Sequence, residues 1–157
     1  MDNKDYFMKF DRPFTIEIDP DAKRQINLDP RGAYGKITMG YDNDWEHFYM
    51  SPSVWKIEDY EKQWKLAWKH LETHDTGVFV ANVQPNPMAT IYSLYKIQDS
   101  IFIRPSMLFE ESYLEMIGNN PYTPETSFLY IPERKHFFMK FRGKKIPADE
   151  WKVKIIS

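Results

Sequence analysis

The sequence contains no cysteine. This absence excludes disulfide bonds, thiol nucleophiles and metal sites built on cysteine ligands. A chain without cysteine suits a reducing compartment, and we expect the protein to act in the cytoplasm.

Long hydrophobic runs are also missing. No stretch approaches the roughly 18 consecutive apolar residues that a membrane-spanning helix needs. The N-terminal segment MDNKDYFMKFDRP lacks the apolar core of a secretory signal peptide. We therefore expect neither a leader nor a membrane partner.

Glycine is scarce, and the 6 glycines are scattered along the chain. Neither the dinucleotide-binding pattern GxGxxG nor the phosphate-binding pattern GxxxxGK(S/T) occurs. The GxSxG turn that carries a nucleophilic serine in many hydrolases is absent too. These absences argue against common nucleotide-dependent and acyl-transfer enzymes. We expect no cofactor and no enzymatic activity.

The net charge is only −2, but the charges are unevenly distributed. Residues 133–157 carry eight Lys or Arg and three Asp or Glu, a surplus of five positive charges. The rest of the chain, residues 1–132, therefore carries a net charge of −7. The body is acidic and the C-terminal segment is basic.

A chain of 157 residues with 42% hydrophobic and 17% aromatic residues can bury a substantial core. This length predicts one domain over residues 1–157. Residues 1–13 mix charged and aromatic side chains, and we expect either a loosely packed arm or a flexible terminus there.

The clearest helical pattern covers residues 57–71. Its apolar side chains fall within an arc of about 100° on a helical wheel, which is the stripe of a core-facing helix. Two tryptophans on this stripe need a broad partner, and a β-sheet is the obvious one. The stripe consists of Ile57, Tyr60, Trp64, Ala67, Trp68 and Leu71.

Alternating or β-branched segments bounded by turn residues predict strands on both sides of this helix. The order predicts an α+β fold, a twisted antiparallel β-sheet with one main helix packed on it and short helices after a central meander. The predicted strands are 14–18, 36–39, 45–50, 77–83, 88–97, 101–104, 136–141 and 151–156, and the short helices are 110–117 and a segment starting at Thr123.

His70 and His74 lie four residues apart at the end of the predicted helix. Zinc could be bound by two histidines at this spacing, but no third ligand can be identified, and Leu71 stands where the metalloprotease motif requires glutamate. Polar and basic side chains are ordinary at a helix C-terminus. We expect no metal site.

Acidic side chains cluster in two places. A catalytic role would require a cleft and shifted pKa values, whereas an acidic loop could equally be solvated surface or a docking site for a basic protein. We favour docking over catalysis. The two clusters are Asp42, Asp44 and Glu46, next to Trp45, and the pair Glu110 and Glu111.

Basic and aromatic residues alternate near the C-terminus. Phosphate contacts and base stacking by such residues are typical of single-stranded nucleic-acid binding. The same alternation also fits a strand with Phe137, Met139 and Phe141 on its core face and solvated lysines opposite. The candidate nucleic-acid-binding residues are Lys140, Arg142, Lys144 and Lys145.

A distributed pattern resembles the CdiI-type immunity proteins of contact-dependent growth inhibition. The likeness runs from about residue 48 to 156 and departs from the family at Lys56, where a helix-capping Asp or Ser is usual. Its elements are Phe48-Tyr49-Met50-Ser51, Val54-Trp55, Ile57-x-Asp59-Tyr60-x-x-x-Trp64, the strand at residues 88–96 ending in Leu94-Tyr95, then Ile101-Phe102-Ile103, Leu108-Phe109 and Glu150-Trp151.

The resemblance implies a protein that is not an enzyme. Such proteins bind and neutralise the C-terminal toxin domain of a CdiA effector. The branch that is most similar has a fold like the Whirly single-stranded-DNA-binding proteins and blocks a nuclease that cuts small-subunit ribosomal RNA. An inhibitor of a basic nuclease site should present carboxylates and aromatics. We expect toxin contacts first at Asp42, Asp44, Trp45 and Glu46, and second at Glu110 and Glu111, with nucleic acid the less favoured partner.

Overall fold

The computed structural model describes residues 9–40, 44–85, 88–108, 121–134, 138–141, 144–147 and 150–156, with the backbone alone at 138–141 and 144–147. The elements are β1 (Lys9–Phe10), β2 (Thr15–Ile18), β3 (Ala33–Thr38), β4 (Trp45–Met50), α1 (Ile57–His70), β5 (Thr76–Gln84), β6 (Met88–Ile97), β7 (Ser100–Leu108), a 3₁₀ turn (Ser127–Leu129), β8 (Phe138–Phe141), β9 (Lys144–Pro147) and β10 (Trp151–Ile156).

The strands form antiparallel sheets. A five-stranded sheet has the order β1-β10-β7-β6-β5, a three-stranded sheet has the order β2-β3-β4, and β8 pairs with β9. The predicted α+β fold, one main helix on a curled antiparallel sheet, is confirmed. The central meander β5-β6-β7 is also confirmed by its register.

The helix α1 covers the edge of the five-stranded sheet as well as the core. The Gln63 side chain donates from Nε2 to the Val78 carbonyl at 2.7 Å and accepts at Oε1 from the Val80 N–H at 2.9 Å. Trp64 Nε1 donates to the Val80 carbonyl at 2.9 Å, and the Tyr60 hydroxyl accepts from the Val83 N–H at 3.0 Å. These side chains satisfy backbone groups that an edge strand would otherwise leave unpaired.

The core lies between the three-stranded sheet, the five-stranded sheet and α1. Trp68 contacts Phe14 and Phe79 with ring centroids 5.2 Å and 5.1 Å apart. Phe48 packs against Trp64 at 6.0 Å and against Tyr92 at 5.8 Å. The aromatic stripe of α1 thus links the two sheets, as a helix with two tryptophans on one face predicts.

Several segments differ from the sequence-based boundaries, and three differences are larger than one residue at an end. Strand β3 begins at Ala33 rather than at residue 36. Strand β7 continues through Pro105 to Leu108. The predicted helix after Thr123 is only a three-residue 3₁₀ turn, and the predicted helix 110–117 lies outside the described residues.

Part of the predicted N-terminal arm is tied to the body. Lys9 and Phe10 pair with Ile156 and Ile155 of β10. The Arg12 guanidinium donates to the Lys152 carbonyl at 3.0 Å, and the Phe10 ring contacts Phe14 at 5.1 Å. Residues 9 and 10 therefore form the outer strand of the five-stranded sheet, and Arg12 is hydrogen-bonded to β10.

Candidate protein-binding surface

The three-stranded sheet has a core face and an outer face. Residues directly opposite each other in antiparallel strands project to the same side. The core face carries Ile16, Ile37 and Met50, which are all buried. The register places the other set on the outer face, namely Glu17, Tyr34, Lys36, Trp45, His47 and Tyr49.

One half of the outer face is covered by the β2–β3 loop, residues 19–32. The backbone N–H of Gln25 donates to the Tyr34 hydroxyl at 2.9 Å, and the Tyr49 hydroxyl donates to the Asp29 carbonyl at 3.0 Å. The Arg24 guanidinium lies 5.6 Å from the centroid of the Tyr34 ring. The two tyrosines thereby fix the loop on the sheet.

The other half of the outer face is open and is centred on Trp45, which is 40% exposed. The Lys36 ammonium lies 4.6 Å from the Trp45 ring centroid, a cation–π contact. The His47 ring lies 4.8 Å from the Trp45 ring, and His47 Nε2 lies 2.6 Å from Asp19 Oδ2. The cation on one side and the imidazole on the other hold the exposed tryptophan ring in one orientation.

Two carboxylates of the loop are held ionised by their neighbours. The hydrogen bond with the His47 side chain lowers the pKa of Asp19. The Arg31 guanidinium donates twice to Asp29, at 3.1 Å and 2.7 Å, and lowers the pKa of Asp29 to about 2. Both groups are negatively charged at neutral pH.

The structure divides the predicted acidic cluster. Asp44 lies 3.6 Å from the Arg12 guanidinium, next to Trp45 at the open end of the sheet. Glu46 follows Trp45 in an alternating strand and so lies on the opposite side, where the Tyr92 hydroxyl donates to its carboxylate at 2.5 Å. Burial raises the pKa of Tyr92, and Glu46 adds to that effect. Asp42, Glu110 and Glu111 lie outside the described residues.

Sequence reasoning missed the partners of Trp45. Side chains alternate along β4, so residues 45 and 47 project from the same face. His47 could therefore have been identified from the sequence as a neighbour of Trp45. Asp19 and Lys36 reach the same surface through pairing between strands that are distant in sequence, which the sequence alone does not specify.

The alternative basic residues are only partly described. The register of β8 on β9 places Lys140 opposite Lys145, and Phe141 opposite Lys144. Arg142 lies outside the described residues. Just before and after this segment, Arg134 and Glu150 form two hydrogen bonds of 2.9 Å and 2.7 Å. This pair joins the two ends of the basic segment.

The histidine pair has a structural role at the end of α1. The rings of His70 and His74 stack at 3.8 Å, and His70 also stacks on Phe128 at 4.6 Å. Burial, followed by the proximity of His74, lowers the pKa of His70. Within the described ranges, no group of three or more His, Asp or Glu side chains could hold a metal ion. The same part of the chain has no helix that is long and apolar enough to cross a bilayer.

Comparisons with known proteins agree with this fold. A chain of the CdiA-CT/CdiI toxin and immunity complex from Enterobacter cloacae matches with a TM-score of 0.64 and 16% sequence identity, covering 90% of each chain. At this identity the likeness shows a shared fold. No curated protein matches the sequence. The model of the CdiI N-terminal domain family matches residues 50–157, and the chain therefore belongs to this family.

Proposed function

We propose that this protein is an immunity protein that binds a cognate CdiA C-terminal toxin domain and neutralises it. The observation that carries this proposal is the family match over residues 50–157. The solved relative with the same fold is part of a toxin and immunity complex. Inhibition is stoichiometric and non-catalytic, and it takes place in the cytoplasm, where the toxin would otherwise act.

The open half of the outer face is the toxin-docking surface of this proposal. Trp45 offers a large, rigid contact area, and the half-exposed Asp44 adds a carboxylate next to it. Aromatic residues dominate the energetics of protein interfaces. The surface also lies outside the part of the chain that matches the family model. A surface that distinguishes one toxin from another should differ between family members, which suits this location.

Glu46 plays a supporting role in the proposed interface. Its carboxylate binds Tyr92 and so holds the core side of β4 in place beneath Trp45. Asp42, Glu110 and Glu111 remain candidate toxin contacts on their sequence alone.

We further propose that the toxin is a nuclease. The branch of immunity proteins that the sequence resembles neutralises such an enzyme. A nuclease must hold phosphates with basic side chains, and an inhibitor with carboxylates around an exposed tryptophan complements such a site. The toxin domain should therefore degrade RNA, and an equimolar amount of this protein should stop the degradation.

Co-expression with the toxin domain encoded immediately upstream tests the function in cells. We expect the chain to restore growth and the variant Trp45→Ala to restore less. Lys65→Ala, an exposed change on α1 away from the outer face, serves as the matched control and should protect fully. Unrestored growth with the unchanged chain, at normal levels of both proteins, would rule the proposal out.

Nucleic-acid binding by the β8–β9 hairpin is the second candidate. The register places Lys140 directly opposite Lys145, so the two strands bring basic residues to the same level of the hairpin. Binding of a single-stranded RNA oligonucleotide should then weaken with salt and be lost when Lys140, Arg142, Lys144 and Lys145 are changed to Ala. Protection from toxin that is unaffected by these four changes would separate the two functions.

A further inference from the structure

The β2–β3 loop is unusually long for a hairpin connection. It joins two antiparallel neighbours through residues 19–32, between Ile18 and Ala33. Hairpin loops commonly have about 2–5 residues, and loops beyond about 12 without secondary structure are usually functional. The length therefore requires an explanation other than chain reversal.

The loop is ordered by its own hydrogen bonds. The Arg24 guanidinium donates to the carbonyls of Pro30 at 2.7 Å and Gly32 at 2.6 Å. These bonds connect the first half of the loop to the second. The Gly32 N–H donates to the Asp29 carbonyl at 3.0 Å, closing a turn. Together with the contacts to Tyr34 and Tyr49, these bonds hold the loop in one conformation before any partner arrives.

At the tip of this braced loop, Ile26 is 103% exposed, the highest value of any large hydrophobic residue in the described ranges. A cavity of about 230 Å³ lies beside it, and its walls are mixed: Leu28, Pro30 and Tyr34 line it together with Arg24, Gln25 and Asp29. An ordered loop that presents a fully exposed apolar side chain beside a cavity has the form of a protein-binding anchor.

The charges of the loop indicate what kind of partner fits. Arg31 is paired with Asp29, and Arg24 is directed at backbone carbonyls. Asp19 is paired with His47. With Asp21 and Lys23, the loop has three acidic and three basic residues and no net charge. This balance disfavours a nucleic acid or an anionic membrane and favours a protein with an apolar pocket.

We propose that Ile26 is an apolar anchor that enters a pocket on the toxin domain, while a toxin side chain enters the adjacent cavity. This inference rests on the proposed function and makes the β2–β3 loop part of the same interface. The loop and Trp45 both lie on the outer face, and Asp19 joins them through His47. A rigid anchor at a distance from Trp45 would help to select one toxin over another.

Binding of the purified toxin domain to full-length variants tests the anchor. We expect Ile26→Ala to weaken the complex about 30-fold, as a hot-spot residue does, and Ile26→Asp to weaken it further. The matched control is Leu129→Asp, because Leu129 is also exposed, at 66%, but lies in the 3₁₀ turn that packs on β5. The control should bind like the unchanged chain. Equal melting temperatures would show that each variant folds.

Each other result has a distinct meaning. Tight binding by the unchanged chain and equally tight binding by both Ile26 variants would overturn the anchor and leave the proposed function standing. Absence of binding by the unchanged chain would overturn the function and the anchor together. A dimer of the unchanged chain that Ile26→Asp converts to a monomer, with no change in toxin affinity, would overturn the toxin pocket in favour of a second copy of this chain.

Discussion

Gln63 is the single side chain on which the edge of the five-stranded sheet most depends. It is fully buried on α1 and forms hydrogen bonds to Val78 and Val80, and also to the Ser127 hydroxyl at 3.2 Å. Its amide imitates a neighbouring strand, because it donates to one carbonyl and accepts from one N–H of β5.

Gln63→Leu should therefore destabilise the protein by about 3 kcal/mol, since it leaves a buried carbonyl and a buried N–H of β5 unpaired. Urea unfolding measures this change. Lys65→Ala, exposed on the same helix, is the control and should change the free energy of unfolding by less than about 0.5 kcal/mol. A Gln63→Leu variant as stable as the control would contradict the proposed role.

His70 gives the stability a dependence on pH. Because burial lowers its pKa below the usual 6.5, the unfolded state binds more protons than the folded state between the two values. The contribution of His70 to stability is thus full above pH 6.5 and declines as the pH falls toward the folded pKa. His70→Phe keeps a ring to stack on Phe128 and removes this titration.

We expect the free energy of unfolding of the unchanged protein to fall more steeply below pH 6.5 than that of His70→Phe. Urea titrations at several pH values between 5 and 8 provide the comparison. Parallel profiles for the two proteins would show that His70 is not protonated differently on folding.

For individual residues, the sequence predicts which apolar side chains are buried better than it predicts which polar side chains are buried. The stripe from Tyr60 to Leu71 is buried as its periodicity predicts. Gln63 lies beside that stripe and would normally be assigned to the surface, since nothing local indicates that a strand edge will lie against it. Alternation along β4 places Glu46 on the same face as Phe48 and Met50. The sequence does not indicate that Tyr92 will donate a hydrogen bond to the Glu46 carboxylate there.

Among the elements, β1 shows how a short segment can be held by side chains. It has only two residues, yet Phe10 packs on Phe14 and on Trp68, with ring centroids 5.1 Å and 6.0 Å apart. The ring contacts connect the N-terminal segment to α1, and the backbone pairs with β10.

Phe10→Ala should cost about 2 kcal/mol of stability, less than the roughly 3–5 kcal/mol of a fully buried phenylalanine, because the Phe10 ring is half-buried. Lys9→Ala, the exposed neighbour in the same strand, is the matched control. Chemical denaturation of the two variants tests the difference. Equal stability would mean that β1 contributes nothing to the core.

Three strands have the limits that the sequence predicts, two others differ by one residue at one end or at both, and the larger differences occur at strands that contain turn-forming residues. β4, β6 and β10 have the predicted limits. The predicted end of β7, residue 104, falls just before Pro105, which cannot donate to a neighbouring strand. The pairing of β10 with β7 ends at Ile103, so no β10 carbonyl lacks a donor at Pro105 and the strand continues.

Turn-forming residues also affect the prediction of strand β3, which begins earlier than the sequence predicts. The first half of β3 is not predicted from the sequence, because it follows the Asp29-Pro30-Arg31-Gly32 turn and contains Gly35. Gly35 pairs with Phe48, and a Cβ at Gly35 would clash with the Phe48 ring. The glycine thus leaves room for the Phe48 ring to lie across β3. This need for a glycine arises only when β3 pairs with β4, so the sequence of β3 alone does not indicate it.

For the whole molecule, the two sheets have different roles in our proposal. The five-stranded sheet, with α1 along its edge, lies mostly within the segment that matches the CdiI N-terminal domain family. Most of the three-stranded sheet and all of the β2–β3 loop precede that segment. We expect the first part to provide stability and the second to recognise the toxin. The family was predictable from the distributed sequence pattern, but the outer face was not, since it combines β2, β3, β4 and the loop.

Calorimetric titration of the purified chain with the toxin domain encoded next to it tests the central claim most directly. We predict saturation at one molecule of chain per molecule of toxin, with an affinity on the order of nanomolar, and loss of toxin activity in proportion to the chain added. Absence of complex formation, or inactivation of the toxin by far less than one equivalent of the chain, would contradict inhibition by stoichiometric binding.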